Sequence, residues 1–244
     1  MKERAPTALI TGAAGLLGAE LVERFRANGF TTLGLDIAGD VDLVVDLAAG
    51  ELDDERLHDI DVVVSNAAVL TTVSRADRMT QAQWDKDIAV NLSGAFRVVR
   101  ACLPGMVSRG HGRVIAVSST AAALGLNRQV AYAASKAGLI GMIKTIALEN
   151  AANGITANAV LPGVIGNGST TLPPELEAVI PIGRPGRARE IADVIAFLAS
   201  PAAGYLTGQT ITVDGGLSLS PAALAAPEPP THTRSGHRDT HEEA

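Results

Sequence analysis

A tyrosine and a lysine one helical turn apart, Tyr132 and Lys136 in Tyr-Ala-Ala-Ser-Lys, follow Ser119 by thirteen and seventeen residues. These three side chains can move a proton. A phenol is a poor acid near neutrality, with an ordinary pKa of about 10. A lysine four residues further along a helix projects from the same face. At roughly 4 Å and an effective dielectric near 20, two such charges interact by about 4 kcal/mol, or some three pKa units. A shift of that size makes the phenol a working acid or base near pH 7, so the spacing predicts a lowered pKa for Tyr132. Ser119 closes the strand-like run Arg-Val-Ile-Ala-Val-Ser-Ser, which places its hydroxyl at a strand's carboxyl end, within reach of a substrate oxygen. A bare Tyr-x-x-x-Lys is more often two surface residues of an amphipathic helix. The other motifs of this chain reverse that reading.

Strands and helices must alternate to hold such a set. The sequence predicts strands at residues 7–11, 31–36, 41–47, 62–65, 113–118, 156–160 and 209–213. Helices are predicted at 16–28, 53–59, 81–108, 132–150 and 189–200, the first stopped by Asn28-Gly29. This order reads as βαβ units around a doubly wound parallel sheet, an α/β fold. Between Asp36 and Val41 there is no room for a crossover helix. Residues 1–220 read as one domain. From Pro221 the chain turns Pro/Ala-rich and then polar, without apolar periodicity, so 221–244 reads as a disordered tail. Its His232, His237 and His241 read as solvated rather than metal-binding.

The composition excludes several functions. A net charge of -6 offers no basic stripe for nucleic acid. One cysteine, Cys102, rules out an internal disulfide framework and suits the reducing cytoplasm. No apolar run approaches a membrane span, and the amino terminus enters the first strand without a signal-like segment. Aromatics at 3% leave the core to Ala, Val, Leu and Ile, and charged residues at 19% suit an oligomer that hides part of its surface.

The segment Thr11-Gly-Ala-Ala-Gly-Leu-Leu-Gly18 joins the first strand to the first helix. Gly12 suits a tight turn, Gly15 a close backbone approach to phosphate, and Gly18 close packing of helix on sheet. With Ala14, Leu16 and Leu17 between them, they present helix-terminal amides to a pyrophosphate. Asp36 ends the second strand, eighteen residues after Gly18. A carboxylate there accepts from a ribose 2′-hydroxyl and repels a 2′-phosphate. No Arg or Lys lies in the glycine loop or between Asp36 and Asp46, which points to NAD(H) rather than NADP(H).

Together these residues resemble the short-chain dehydrogenase/reductase family from about residue 7 to 219. Asp46-Leu47 looks like the family's adenine-contacting pair. Asn66-Ala67-Ala68 is similar to its Asn-Ala-Gly element, with Ala68 for the usual glycine. Asn91, in Val-Asn-Leu-Ser-Gly-Ala-Phe, matches the helix asparagine of a catalytic tetrad completed by Ser119, Tyr132 and Lys136. Pro162-Gly163, with Val164 and Ile165, matches the loop beside the nicotinamide. Three features depart from the usual pattern. The glycine spacing is that of extended members, the crossover helix after Asp36 is missing, and Asn167 stands where the family carries Thr.

The resemblance implies an NAD-dependent oxidoreductase interconverting a secondary alcohol and a ketone. Tyr132 would be acid/base, Lys136 would lower its pKa and hold the ribose, Ser119 would hold the substrate oxygen, and Asn91 would anchor a water. The alternatives are a 3-oxoacyl-thioester reductase, which generally uses NADPH, a nucleotide-sugar epimerase or dehydratase, and a non-catalytic NAD sensor. The resemblance also implies a homo-oligomer, a dimer or tetramer, built on the two long helices. Its partner is a small-molecule alcohol or ketone, with no metal. Trp84 and Cys102 read as packing residues and His58 and His111 as surface. Arg184, Arg187 and Arg189 read as a solvated cluster, or less readily as an anion site by the substrate loop.

Overall fold

A computed structural model describes residues 4–50, 52–70, 73–166 and 172–219. The strands are β1 (Thr7–Thr11), β2 (Thr31–Asp36), β3 (Leu43–Val44), β4 (Val62–Ser65), β5 (Gly112–Val117), β6 (Ile155–Pro162), β7 (Ile165–Gly166), β8 (Gly186–Arg187) and β9 (Thr210–Val213). Seven of them form a parallel sheet in the order β3-β2-β1-β4-β5-β6-β9. β7 and β8 pair as a separate two-stranded ribbon. The helices are α1 (Leu16–Ala27), α2 (Gln81–Ile88), α3 (Ala95–Arg109), α4 (Ala121–Leu124), α5 (Val130–Asn150), α6 (Pro174–Glu177) and α7 (Ala188–Ala199).

The central strands carry apolar runs because both of their faces are covered, as a parallel sheet requires. Alternate residues of one strand then serve opposite cores. Leu9, Val63, Val114 and Ala157 pack with Val98, Cys102, Met106 and Ile143 of α3 and α5. Ala8, Ile10, Val64 and Ile115 pack with Leu21 and Phe25 of α1 and Ile191, Ile195 and Leu198 of α7. The strand order reverses between β1 and β4, and a crevice opens there at the strands' carboxyl ends.

Two glycines make the β1–α1 turn possible. Gly12 has φ +68°, in the left-handed region. A Cβ on Gly18 would stand 1.8 Å from the Gly12 carbonyl oxygen, so α1 lies on the turn at a distance no other residue allows.

As expected, no helix links β2 and β3. Parallel neighbours ordinarily need a crossover of a dozen residues or more. Here β3 pairs only with Leu35 and Asp36, the last residues of β2, so the chain steps back by little more than a strand pair's rise of about 7 Å. Asp42 Oδ2 accepts from Gly34 N at 2.8 Å and ties the loop to β2. The predicted strand at 41–47 is thereby reduced to Leu43–Val44.

The helix expected at 81–108 is interrupted. Thr80 and Gln83 form a reciprocal capping box at the start of α2, and Gly110 ends α3 in a left-handed cap. Between α2 and α3 the backbone widens into a π-helical stretch, Ala89–Gly94. Gly94 leaves no space for a side chain, since its Cβ would meet Leu47 Cβ at 2.9 Å. The widened turn is what directs Asn91 inward; such bulges are frequent at functional sites.

Candidate active site

The crevice at the switch point has a volume of about 330 Å³. Gly12, Gly15, Leu16, Leu17 and Gly18 line it from the β1–α1 turn. Asp36, Asp46, Leu47, Asn66, Ala67 and Ala68 line it from the ends of β2, β3 and β4. Ala14 does not line it; its amide donates to Asp36 Oδ2 at 2.9 Å. Asp36 Oδ1 accepts from Ile37 N at 2.7 Å, so the carboxylate braces the glycine turn as well as facing the crevice. Thr11, which motif spacing left without a role, clamps the neighbouring strand. Its Oγ1 accepts from Asn66 N at 3.0 Å and Ala67 N at 2.9 Å, while Asn66 Nδ2 donates to Thr11 O at 2.9 Å. Among the described residues, two carboxylates and no cation line the crevice. The cradle fits a dinucleotide: a glycine turn too tight for any Cβ, the amino end of α1, and an acidic end able to accept hydroxyl hydrogen bonds.

The remaining expected residues stand beyond this lining, at the carboxyl ends of β5 and β6. Lys136 is 2% exposed, and its Nζ donates to Val117 O at 2.8 Å. The same Nζ lies 5.7 Å from the centre of the Tyr132 ring. Ser118 Oγ donates to Lys136 O at 2.8 Å, fixing the start of α5 to β5. Ser119 lies just past β5; its Oγ accepts from Ala121 N at 3.1 Å, and its hydroxyl is near enough to the Tyr132 phenol to favour the phenolate. Asn91 is fully buried, its Oδ1 accepting from Val69 N at 2.7 Å and its Nδ2 donating to Val69 O at 3.0 Å and Ser135 Oγ at 3.2 Å. Ser135 Oγ in turn donates to Tyr132 O at 2.7 Å. Sequence reading overlooked Ser135; its position three residues after Tyr132, on the same helix face as Tyr132, was the available signal. Gly163 N donates to Val213 O at 3.1 Å, and a Cβ there would strike Asp214, so the Pro162-Gly163 loop with Val164 and Ile165 is seated on the end of β9. Asn167 and the tail at 221–244 lie outside the described residues.

One electrostatic expectation is corrected. The phenol of Tyr132 has a raised pKa, chiefly because burial disfavours the phenolate; the Ser119 hydroxyl opposes this and the charge of Asp87 adds to it. Burial also lowers the pKa of Lys136, from 10.5 to about 8. The ammonium therefore loses its proton before the phenol does and contributes nothing to the phenol's ionisation in the ligand-free chain.

The dull readings largely stand. Trp84 is half-buried in α2, Cys102 is 0% exposed with its thiol pushed up to about 12 by burial, and His58 and His111 are at the surface. Arg184 is committed to Glu190, with contacts of 2.8 and 2.6 Å, and Glu190 Oε2 also accepts from Arg187 N at 2.8 Å, capping α7. Among the described residues no group of three or more acidic, His or Cys side chains could hold a metal, and no helix is long and apolar enough to cross a membrane.

A family model described as enoyl-(acyl carrier protein) reductase matches residues 12–218. The 3-oxoacyl-(acyl-carrier-protein) reductase FabG of Escherichia coli is 35% identical, over 87% of this chain and 97% of that protein. The FabG of Thermotoga maritima is 37% identical, over 90% of this chain and 100% of that protein. The chain belongs to the short-chain dehydrogenase/reductase family. As a member it is an oxidoreductase that binds a nicotinamide cofactor and acts on a ketone or alcohol. A short-chain oxidoreductase from Burkholderia thailandensis superposes with TM-score 0.78 at 33% identity, covering 88% of this chain and 93% of that one. A putative gluconate 5-dehydrogenase from Beutenbergia cavernae, solved with bound NADP, does so with TM-score 0.78 at 28% identity, covering 88% and 97%.

Lys136 gives a stability prediction. Its folded pKa lies below its unfolded value, so the cost of burying the ammonium is present in full below about pH 8 and is relieved as pH rises toward 10.5. Lys136→Met should stabilise the ligand-free protein at pH 7 by roughly 1–3 kcal/mol. Thermal unfolding should show the gap to the unmodified chain narrowing between pH 8 and 10.5; a less stable variant at pH 7 contradicts the assignment.

Proposed function

We propose that this enzyme is an NAD(H)-dependent dehydrogenase/reductase of secondary alcohols and ketones, with Tyr132 as its acid/base. The observation that carries this reading is the buried chain Val69–Asn91–Ser135–Tyr132, which ties the crevice lining to the Tyr132 backbone carbonyl at the start of α5, the helix that sets the Tyr132 ring beside Lys136. The dinucleotide, when bound, donates or accepts the hydride. Tyr132 gives a proton to the carbonyl oxygen in reduction and takes it from the hydroxyl in oxidation. Ser119 holds that oxygen and stabilises the charge that develops on it. Lys136 supports the ribose and, when protonated, lowers the phenol's pKa. Asn91 holds the β4 loop and α5 in register, and anchors the water that links Lys136 to solvent. Pro162, Gly163, Val164 and Ile165 lie beside the nicotinamide.

NAD(H) is favoured by Asp36 and Asp46, in a lining that holds no cation among the described residues. The NADP in the Beutenbergia structure points the other way for that protein. A second reading, reduction of a 3-oxoacyl thioester, is supported by the FabG relatives. We place the enzyme in the cytoplasm on the strength of its single, fully buried cysteine. We also take residues 1–220 as one domain followed by a tail.

We further propose a homo-oligomer built on α3 and α5. Phe96 and Val107 of α3 are 48% and 40% exposed, Leu148 of α5 is 85% exposed, and half-buried Ile140 and Met142 also lie on α5.

Tyr132→Phe should lower turnover at least about 100-fold and leave dinucleotide affinity unchanged. The same kinetic panel, run with both cofactors on secondary alcohols, ketones and a 3-oxoacyl thioester, should show NAD(H) preferred. Asp36→Ala combined with Ile37→Arg should raise use of NADP(H). Undiminished turnover in Tyr132→Phe rejects the acid/base role. Light scattering on a size-exclusion column should give a dimer or tetramer mass; a monomer contradicts the α3–α5 assembly.

A further inference from the structure

One ionisable side chain without a role above is buried next to the tetrad. Asp87, the penultimate residue of α2, is 0% exposed. Helix register decides what it faces. α2 and its π-helical continuation pack on α5. Asn91 meets Ser135 at 3.2 Å, and Leu92 covers Gly138, where an added Cβ would lie 2.8 Å from Leu92 Cδ2. Ascending residues of one helix thus meet ascending residues of the other. One turn back from Asn91 is Asp87, and one turn back from Ser135 is Ala131 and Tyr132. The electrostatics agree with this placement, since Asp87 is among the causes that raise the Tyr132 pKa.

We propose that the buried Asp87 carboxylate acts through Tyr132, holding the phenol in its acid form and biasing the site toward carbonyl reduction. A negative charge facing the phenol makes a second one costly. In the reductive direction the dinucleotide would supply the hydride to the carbonyl carbon, while Tyr132 gives its proton to the oxygen. The phenolate left behind takes a proton from solvent. In the oxidative direction the phenolate must exist first, which is the state Asp87 opposes. Few other charges face the ring. On α5 itself Lys136 lies 5.7 Å from the ring centre. Asp85 and Lys86, the neighbours of Asp87, are exposed, as is Arg128, while α4 and the stretch Ala89–Gly94 carry no ionisable residue. The directional half of this inference rests on the acid/base role proposed above; the electrostatic half does not.

The test needs no substrate. The chain has two tyrosines, and Tyr205 is fully exposed. In Tyr205→Phe the phenolate absorbance therefore reports Tyr132 alone. Adding Asp87→Asn should lower the titration midpoint by about one pH unit. Asp87→Ser should lower it similarly, and covers the case in which the amide does not pack; circular dichroism at each pH confirms folded protein. On a proven substrate, the alkaline limb of kcat/KM for reduction should move down by the same amount in the Asp87 variant. A midpoint that stays or rises in a folded Asp87 variant overturns the proposal. A lowered midpoint together with an active Tyr132→Phe enzyme would sink the acid/base role while leaving the Asp87–Tyr132 coupling in place.

Discussion

The site depends on a charge placed where water cannot reach it. Lys136 is seated on the carboxyl end of β5, held by the Val117 carbonyl, with the Tyr132 ring beside it. Dry surroundings disfavour the ionised form of both groups, so in the ligand-free site the Lys136 ammonium gives up its proton around pH 8 and the phenol ionises only at higher pH. Proximity alone does not make the pair a proton shuttle. Under the proposed function, the positive charge of an oxidised nicotinamide beside the pair is what would favour the phenolate. Stability is spent in holding this arrangement, a familiar cost of a pre-organised site.

The scaffold delivers those groups through backbone geometry more than through side-chain mass. Gly12 and Gly18 bring α1 onto the end of β1, and Thr11 and Asn66 lock β4 to it. The π-helical stretch turns Asn91 inward, where it grips Val69 on one side and Ser135 on the other. The crevice lining and the start of α5, which carries Tyr132, are thereby tied together through one buried asparagine. Missing the β2–β3 crossover helix does not disturb this tie, because around β3 only Val45, Asp46 and Leu47, which follow it, reach the crevice.

Much of this was legible in the chain. Apolar runs bounded by Gly, Asn and Asp located the parallel strands, because strands buried on both faces are mostly apolar. The glycine turn and Asp36 announced the cradle through steric and electrostatic demands that few residue types meet. What escaped notice lies in three-dimensional neighbourhoods. A π-helical turn has no local code beyond Gly94 under Leu47, and Ser135 gains its role only when α5 meets Asn91. The direction of the Tyr132 shift was misjudged because spacing reports how near a charge is and says nothing of how dry the site is. Burial acts on both partners, and here it outweighs their attraction.

Titration of the Tyr132 phenol by its phenolate absorbance in Tyr205→Phe, with and without saturating NAD, tests the central claim most directly. The account predicts a midpoint above 10 in the free protein and a fall of about one unit or more in the complex, as a positive charge joins the buried pair. An unchanged midpoint in the complex would contradict it, because the phenol would then be indifferent to the charge that is supposed to free its proton.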